Sequence, residues 1–201
     1  MLKQILDGMM QSSVKSQQGF TLLELLIVFS IMVILSAVGI ASFVSYSHSQ
    51  SVDTSMKEFK TILFSARSRA QSQLRDSSCF SSGFTGSGYV LQGYRVVICC
   101  PSGSSSCVGS NTCTDPKANY ELDAVYSYPD GSGVSYQTCE SKKISDPSVS
   151  FVASSTTGTI ITFASVTGAV SSNAPSGVVQ VGLAGYGFTK LATVSATGVV
   201  Q

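Results

Sequence analysis

The chain divides by its pattern of apolar and polar positions. From Leu25 to Val44 twenty residues run without a charge, and one carboxylate, Glu24, stands at the edge of that run. As a helix rising about 1.5 Å per residue, such a segment spans about 30 Å, the thickness of a hydrocarbon core. The pattern then becomes amphipathic. Val52, Met56, Phe59, Leu63, Ala66, Ala70 and Leu74 recur at spacings of three and four, which is one face of a helix. Lys57, Lys60, Arg67 and Arg75 fall mostly off that face. No Gly or Pro interrupts the chain between Gly39 and Gly83. The simplest reading is one helix from about Phe20 to about Leu74, apolar all round in its first half.

After Arg75 the pattern changes. Ser, Gly and Thr dominate, and all five prolines fall here. Short β-rich runs stand between turn residues: Tyr94–Cys99, Tyr120–Tyr126, Val134–Thr138, Thr159–Phe163, Val178–Val181 and Phe188–Val194. These predict an antiparallel sheet. The amphipathic half of the helix needs an apolar partner, and the sheet is the candidate. The fold class is therefore α+β, a long N-terminal helix packed on an antiparallel β domain. The expected segments are a leader at 1–19, a membrane-spanning half of the helix at 20–44, an amphipathic half at 45–75 and a Cys- and Ser/Gly-rich β domain at 76–201. No internal repeat stands out.

Composition narrows the function. Net charge is +1 and only 11% of residues are charged, which gives no electrostatic case for nucleic acid. Lys3 and Lys15 precede the apolar run, so the positive-inside rule places the N-terminus in the cytoplasm and the β domain outside. Six cysteines, Cys79, Cys99, Cys100, Cys107, Cys113 and Cys139, all follow the run. An even number beyond a membrane anchor predicts disulfides in an oxidising compartment, with the pairing open. Cys99 and Cys100 end a strand on opposite faces, so each should take a different partner. Zinc is disfavoured because the usual Cys-x2–4-Cys spacing is lacking. Asp115, Glu121, Asp123 and Asp130 are expected in or beside loops, and their spacing matches no EF-hand. His48 is alone, and the serines have no patterned His and carboxylate, so no catalytic residue, cofactor or metal is expected.

The stretch "GFTLLELLIVFSIMVILSAVGIASF" resembles the class III signal sequences of type IV pilins and pseudopilins. That resemblance implies cleavage by a prepilin peptidase after Gly19, N-methylation of Phe20, and an assembly role for Glu24. One turn from the new amine, Glu24 is favoured by the helix dipole, and it can pair with its own Phe20 or a neighbour's. An unpaired buried charge is costly, so that pair can set the stagger between subunits. The implied partners are the prepilin peptidase, other pilin or pseudopilin subunits and an inner-membrane assembly platform. The family often carries Lys or Arg just before the glycine; here Gln17 and Gln18 intervene, and the leader is long. Many major pilins carry a proline at the position of Ala41, so its absence leans toward a minor subunit. The bland alternatives are an ordinary signal anchor and a secretory signal peptide cut near Gly39-Ile40-Ala41.

"KEFKTILFSARSRAQSQ", "TIITFASVTGAV" and "ATVSATGVV" resemble segments of the type II secretion protein H and FimT-like minor pseudopilins. The expected function is thus a minor pilin or pseudopilin subunit of a type IV pilus or type II secretion pseudopilus. The alternative is an anchored binding module for DNA uptake or adhesion at a pilus tip. Lys190 is the only base in the last 58 residues, so DNA binding through the tail is doubtful. Arg67, Arg69 and Arg75 could form a small basic patch on the helix, and the bland alternative is a solvated helix face.

Overall fold

The computed structural model describes residues 20–75, 79, 88–99, 113–152, 160–172 and 178–201. Two compact units divide the chain, residues 1–44 and 45–201. One α-helix, α1 (Leu22–Ser72), runs through both.

In the first unit the described side chains of the helix are exposed, and most of them are apolar. The helix holds a window of mean hydropathy 2.6, long and apolar enough to cross a membrane. The hydroxyls of Ser30 and Ser36 donate to the Leu26 and Met32 carbonyls one turn back, at 2.9 and 2.7 Å. They therefore need no water, which suits a segment with an apolar surface.

In the second unit eight strands follow: β1 (Val90–Ile98), β2 (Tyr120–Ser127), β3 (Val134–Lys142), β4 (Ser150–Phe151), β5 (Ile160–Ala164), β6 (Val170–Ser172), β7 (Val179–Gly185) and β8 (Phe188–Val194). They form a five-stranded sheet in the order β3-β2-β1-β5-β6 and a three-stranded sheet in the order β4-β7-β8. Every named pairing is antiparallel. The fold is α+β, with the long helix on antiparallel sheet. Each of the six β-rich runs contains a strand. The short β4 and β6 escape sequence reading because two or three residues show no alternation.

The core joins three surfaces. Val52, Met56, Phe59, Ile62, Leu63, Ala66 and Ala70 of α1 are buried. They meet Tyr94, Val96, Leu122, Ala124, Ile161 and Phe163 of the larger sheet and Phe151, Val181, Leu183 and Ala192 of the smaller. Phe59 sits at the junction, edge-on to Tyr120 at 5.4 Å and to Phe151 at 5.2 Å. Burying such a ring contributes about 1.5–3 kcal/mol.

Leu74 does not join this face. The helix ends at Ser72, and Leu74 is half exposed. Gln73 adopts φ 51°, its N–H donates to Ala70 O at 3.3 Å, and the Leu74 N–H donates to Arg69 O at 3.1 Å. These two bonds make a Schellman cap with Gln at the position usually held by Gly. The Tyr94 hydroxyl and the Val166 N–H take up the carbonyls of Leu74 and Ala70.

The structure also reveals a repeat. Ser165-Val166-Thr167-Gly168-Ala169-Val170 follows β5, and Ser195-Ala196-Thr197-Gly198-Val199-Val200 follows β8. Both are turns, with Gly168 at φ 64° and Gly198 at φ 79°. The Val170 N–H donates to Ala196 O at 2.8 Å, tying one turn to the other. A Cβ on Gly198 would lie 2.3 Å from Gly168 O, so the two backbones touch. Arg67 and Gln71 of α1 reach the Thr197 and Thr167 carbonyls at 3.4 and 3.5 Å. Six residues of common types are too short a unit to stand out in sequence; their packing makes them a pair.

Candidate assembly site at the start of the long helix

Thr21 opens the helix. Its Oγ1 accepts the Glu24 N–H at 3.2 Å, and its carbonyl accepts the Leu25 N–H at 3.2 Å. Thr21 is therefore the N-cap and Glu24 the third helical residue, the arrangement of a Thr-x-x-Glu capping box with the threonine half formed. The threonine satisfies one of the four N–H groups that a helix start leaves open. Glu24 lies in the first turn, where the helix dipole favours a negative charge. Thr21 is a structural residue of this site beyond the cleavage and assembly candidates, and its signal in the sequence is the Thr-x-x-Glu spacing. Phe20 is 80% exposed and precedes the cap. Gly19 and the leader lie outside the described residues.

The remaining candidates distribute differently. Cys79 bonds Cys139, and Cys99 bonds Cys113. Cys100 and Cys107 lie outside the described residues. Cys99, Cys113 and Glu121 form the only described group of three with metal-ligand spacing, and the disulfide occupies both sulfurs.

Glu121 and Asp123 are not loop residues. They stand within β2 and are buried, 1% and 3% exposed. Tyr120, Leu122 and Ala124 face the core, so alternation puts the two carboxylates on the opposite face. Glu121 accepts the Thr114 and Asp115 N–H groups at 2.8 Å each and the Ser141 hydroxyl at 3.1 Å. It thus anchors the segment that follows Cys113. Asp123 pairs with Arg95 at 2.8 Å, and the Arg95 guanidinium lies 3.4 Å over the Tyr136 ring. Asp115 and Asp130 accept N–H groups within their own turns, from Lys117 and Ser132.

The three arginines do not form an open patch. Arg69 pairs with Glu140 at 2.6 Å, Arg67 reaches Thr197 O, and Arg75 donates to Tyr89 O at 3.0 Å. His48 stacks on Tyr186, with ring centroids 3.9 Å apart. Beside it the Asp146 carboxylate accepts the Ser51 and Tyr186 hydroxyls and the Ser148 N–H. The Ser51 hydroxyl, then the Ser148 N–H, hold its acid strength above that of a free carboxylate, lowering its pKa. This cluster and the adjacent Lys190–Asp53 pair at 3.0 Å fasten the early turns of the amphipathic half of α1 to the β domain.

At the start of α1 a capped, acid-bearing first turn leads into an exposed apolar surface. Residues 14–40 match the family profile of the prokaryotic N-terminal methylation motif. The match spans the end of the leader and most of the apolar half of α1, and the β domain lies outside it. This motif supports a type IV pilin-like precursor processed by prepilin peptidase, and with the apolar helix it supports membrane anchoring. No curated protein and no solved structure matches the chain.

Proposed function

We propose that this chain is a minor pilin or pseudopilin subunit of a type IV pilus or a type II secretion pseudopilus. Prepilin peptidase cuts after Gly19, the Phe20 amine is methylated, and the subunit enters its filament through the apolar half of α1. The domain beyond is extracytoplasmic and not enzymatic. The reading rests on one observation: the methylation motif of residues 14–40 is continuous with a helix whose apolar half is exposed and whose amphipathic half is fastened to a β domain. Glu24 is one turn from the Phe20 amine that cleavage would create, and pairing with that amine, within or between subunits, relieves its cost in an apolar setting. The disulfides favour an oxidising compartment for the β domain.

Mass spectrometry of the mature chain decides the matter. It should find N-methyl-Phe20 as the first residue. An intact leader, or a terminus near Ser42, would sink the proposal.

A further inference from the structure

Within the 45–201 unit a cavity of about 460 Å³ lies between the Glu58–Ser65 stretch of α1 and the end of β3 with the segment after it. Sites for small ligands fall in the range of about 300–1,000 Å³. Its lining is charged. Glu58 comes from α1, Glu140 from β3, Lys143 and Ser145 from the segment beyond, and Tyr120 from β2.

The charges are unevenly satisfied. Glu140 is neutralised by Arg69 at 2.6 Å on one oxygen and by Lys142 at 3.4 Å on the other. Glu58 is not: among the described residues its carboxylate meets only the Ser145 hydroxyl, 3.1 Å from each oxygen. Lys143 forms no ion pair among the described residues and does not pair with Glu58, although both line the same space. Tyr120 is 4% exposed as a residue, its ring packs edge-on to Phe59 and Phe151, and its hydroxyl makes no hydrogen bond to a described residue. The hydroxyl itself is not sealed from the cavity that Tyr120 lines, so it can take a partner there. Burial, followed by the charges of Glu58 and Glu140, pushes its phenol up to about 12. It therefore stays a neutral hydroxyl, and both carboxylates lie close enough to act on it.

An under-neutralised carboxylate beside an unpartnered hydroxyl suits a cation with several N–H donors, and a primary ammonium supplies three. An unpaired lysine on the same cavity suits an anion. We propose that this cavity binds a small zwitterion, an α-amino acid or short peptide, with its ammonium at Glu58 and the Tyr120 hydroxyl and its carboxylate at Lys143. A bare divalent cation suits the site less, because Arg69, Lys142 and Lys143 already supply positive charge there. Nothing in this proposal depends on filament assembly.

The test is calorimetric titration of the full chain in detergent micelles with L-alanyl-L-alanine, its N-acetyl derivative and its C-terminal amide. The dipeptide should bind saturably. Acetylation, or Glu58→Gln, should weaken binding at least about tenfold, the scale of one charge-assisted hydrogen bond. Tyr120→Phe should weaken it by about threefold to tenfold, the scale of one neutral hydrogen bond. Lys143→Gln, at an exposed position, should weaken the dipeptide but not the amide. The proposal is overturned if the dipeptide fails to bind, or if the N-acetyl form or the amide binds as tightly as the dipeptide. Unchanged dipeptide affinity in Glu58→Gln, Tyr120→Phe or Lys143→Gln overturns it equally.

Discussion

At the scale of single residues, the chain places its carboxylates in very different settings. Glu121 is a buried anchor that accepts two backbone N–H groups and a hydroxyl. Asp146 is a surface acceptor that joins Ser51 of the helix to Tyr186 of the β domain. Glu24 stands in the first turn of α1 with no described partner for its side chain, and in the proposed function its charge is its purpose. Gln at that position keeps a capping side chain but removes the charge. Glu24→Gln and Glu24→Ala should therefore both be cleaved and methylated, and neither should enter filaments. Fractionation of sheared filaments reads the outcome, and normal incorporation of the Gln variant would remove the register role. The Thr21–Glu24 cap and the proposed charge pair use different atoms, one the Glu24 N–H and the other its carboxylate, so both roles fit one residue.

At the scale of elements, the helix is held at both ends of its amphipathic half. Near its start stand the Asp146 cluster and the Lys190–Asp53 pair; at its end stand the Schellman cap, Tyr94 and the paired turns. The turns give a controlled test. Gly198 and Gly187 share a left-handed φ, 79° and 82°. A Cβ at Gly187 meets nothing within 4 Å, whereas one at Gly198 meets Gly168 O at 2.3 Å. Gly187→Ala should cost about 1 kcal/mol from backbone strain alone. Gly198→Ala should cost at least about 1–3 kcal/mol more, because the turn must separate from its neighbour. Equal unfolding midpoints for the two variants would show that the turns do not depend on their contact. Most of the helix and all six longer strands were legible beforehand, because 3.6-residue and two-residue periods are local properties. The inclusion of Ile62 and the loss of Leu74 were not, since cap geometry and the reach of the sheets decide where a face ends.

At the scale of the whole molecule, the disulfides close loops of unequal length. Cys79–Cys139 spans 60 residues and Cys99–Cys113 spans 14. On the chain-entropy view they contribute about 4 and about 3 kcal/mol. Replacing both members of each pair by Ser should therefore lower stability more for the longer loop, read by chemical denaturation of the oxidised protein. The reverse order would mean that native contacts around Cys99, such as the Glu121 anchor, outweigh loop closure. The sequence by itself determined the apolar run, the first-turn glutamate, the amphipathic stripe and the β-rich tail, because each depends on the order of neighbouring residues. It also carried the methylation motif, which is contiguous. Only tertiary structure decided that Glu121 and Asp123 are buried, that Cys99 meets Cys113, that the three arginines are engaged, and that Glu58, Tyr120 and Lys143 line one cavity. Those facts join residues far apart in the chain, and such distances are set by the packing of α1 on two sheets.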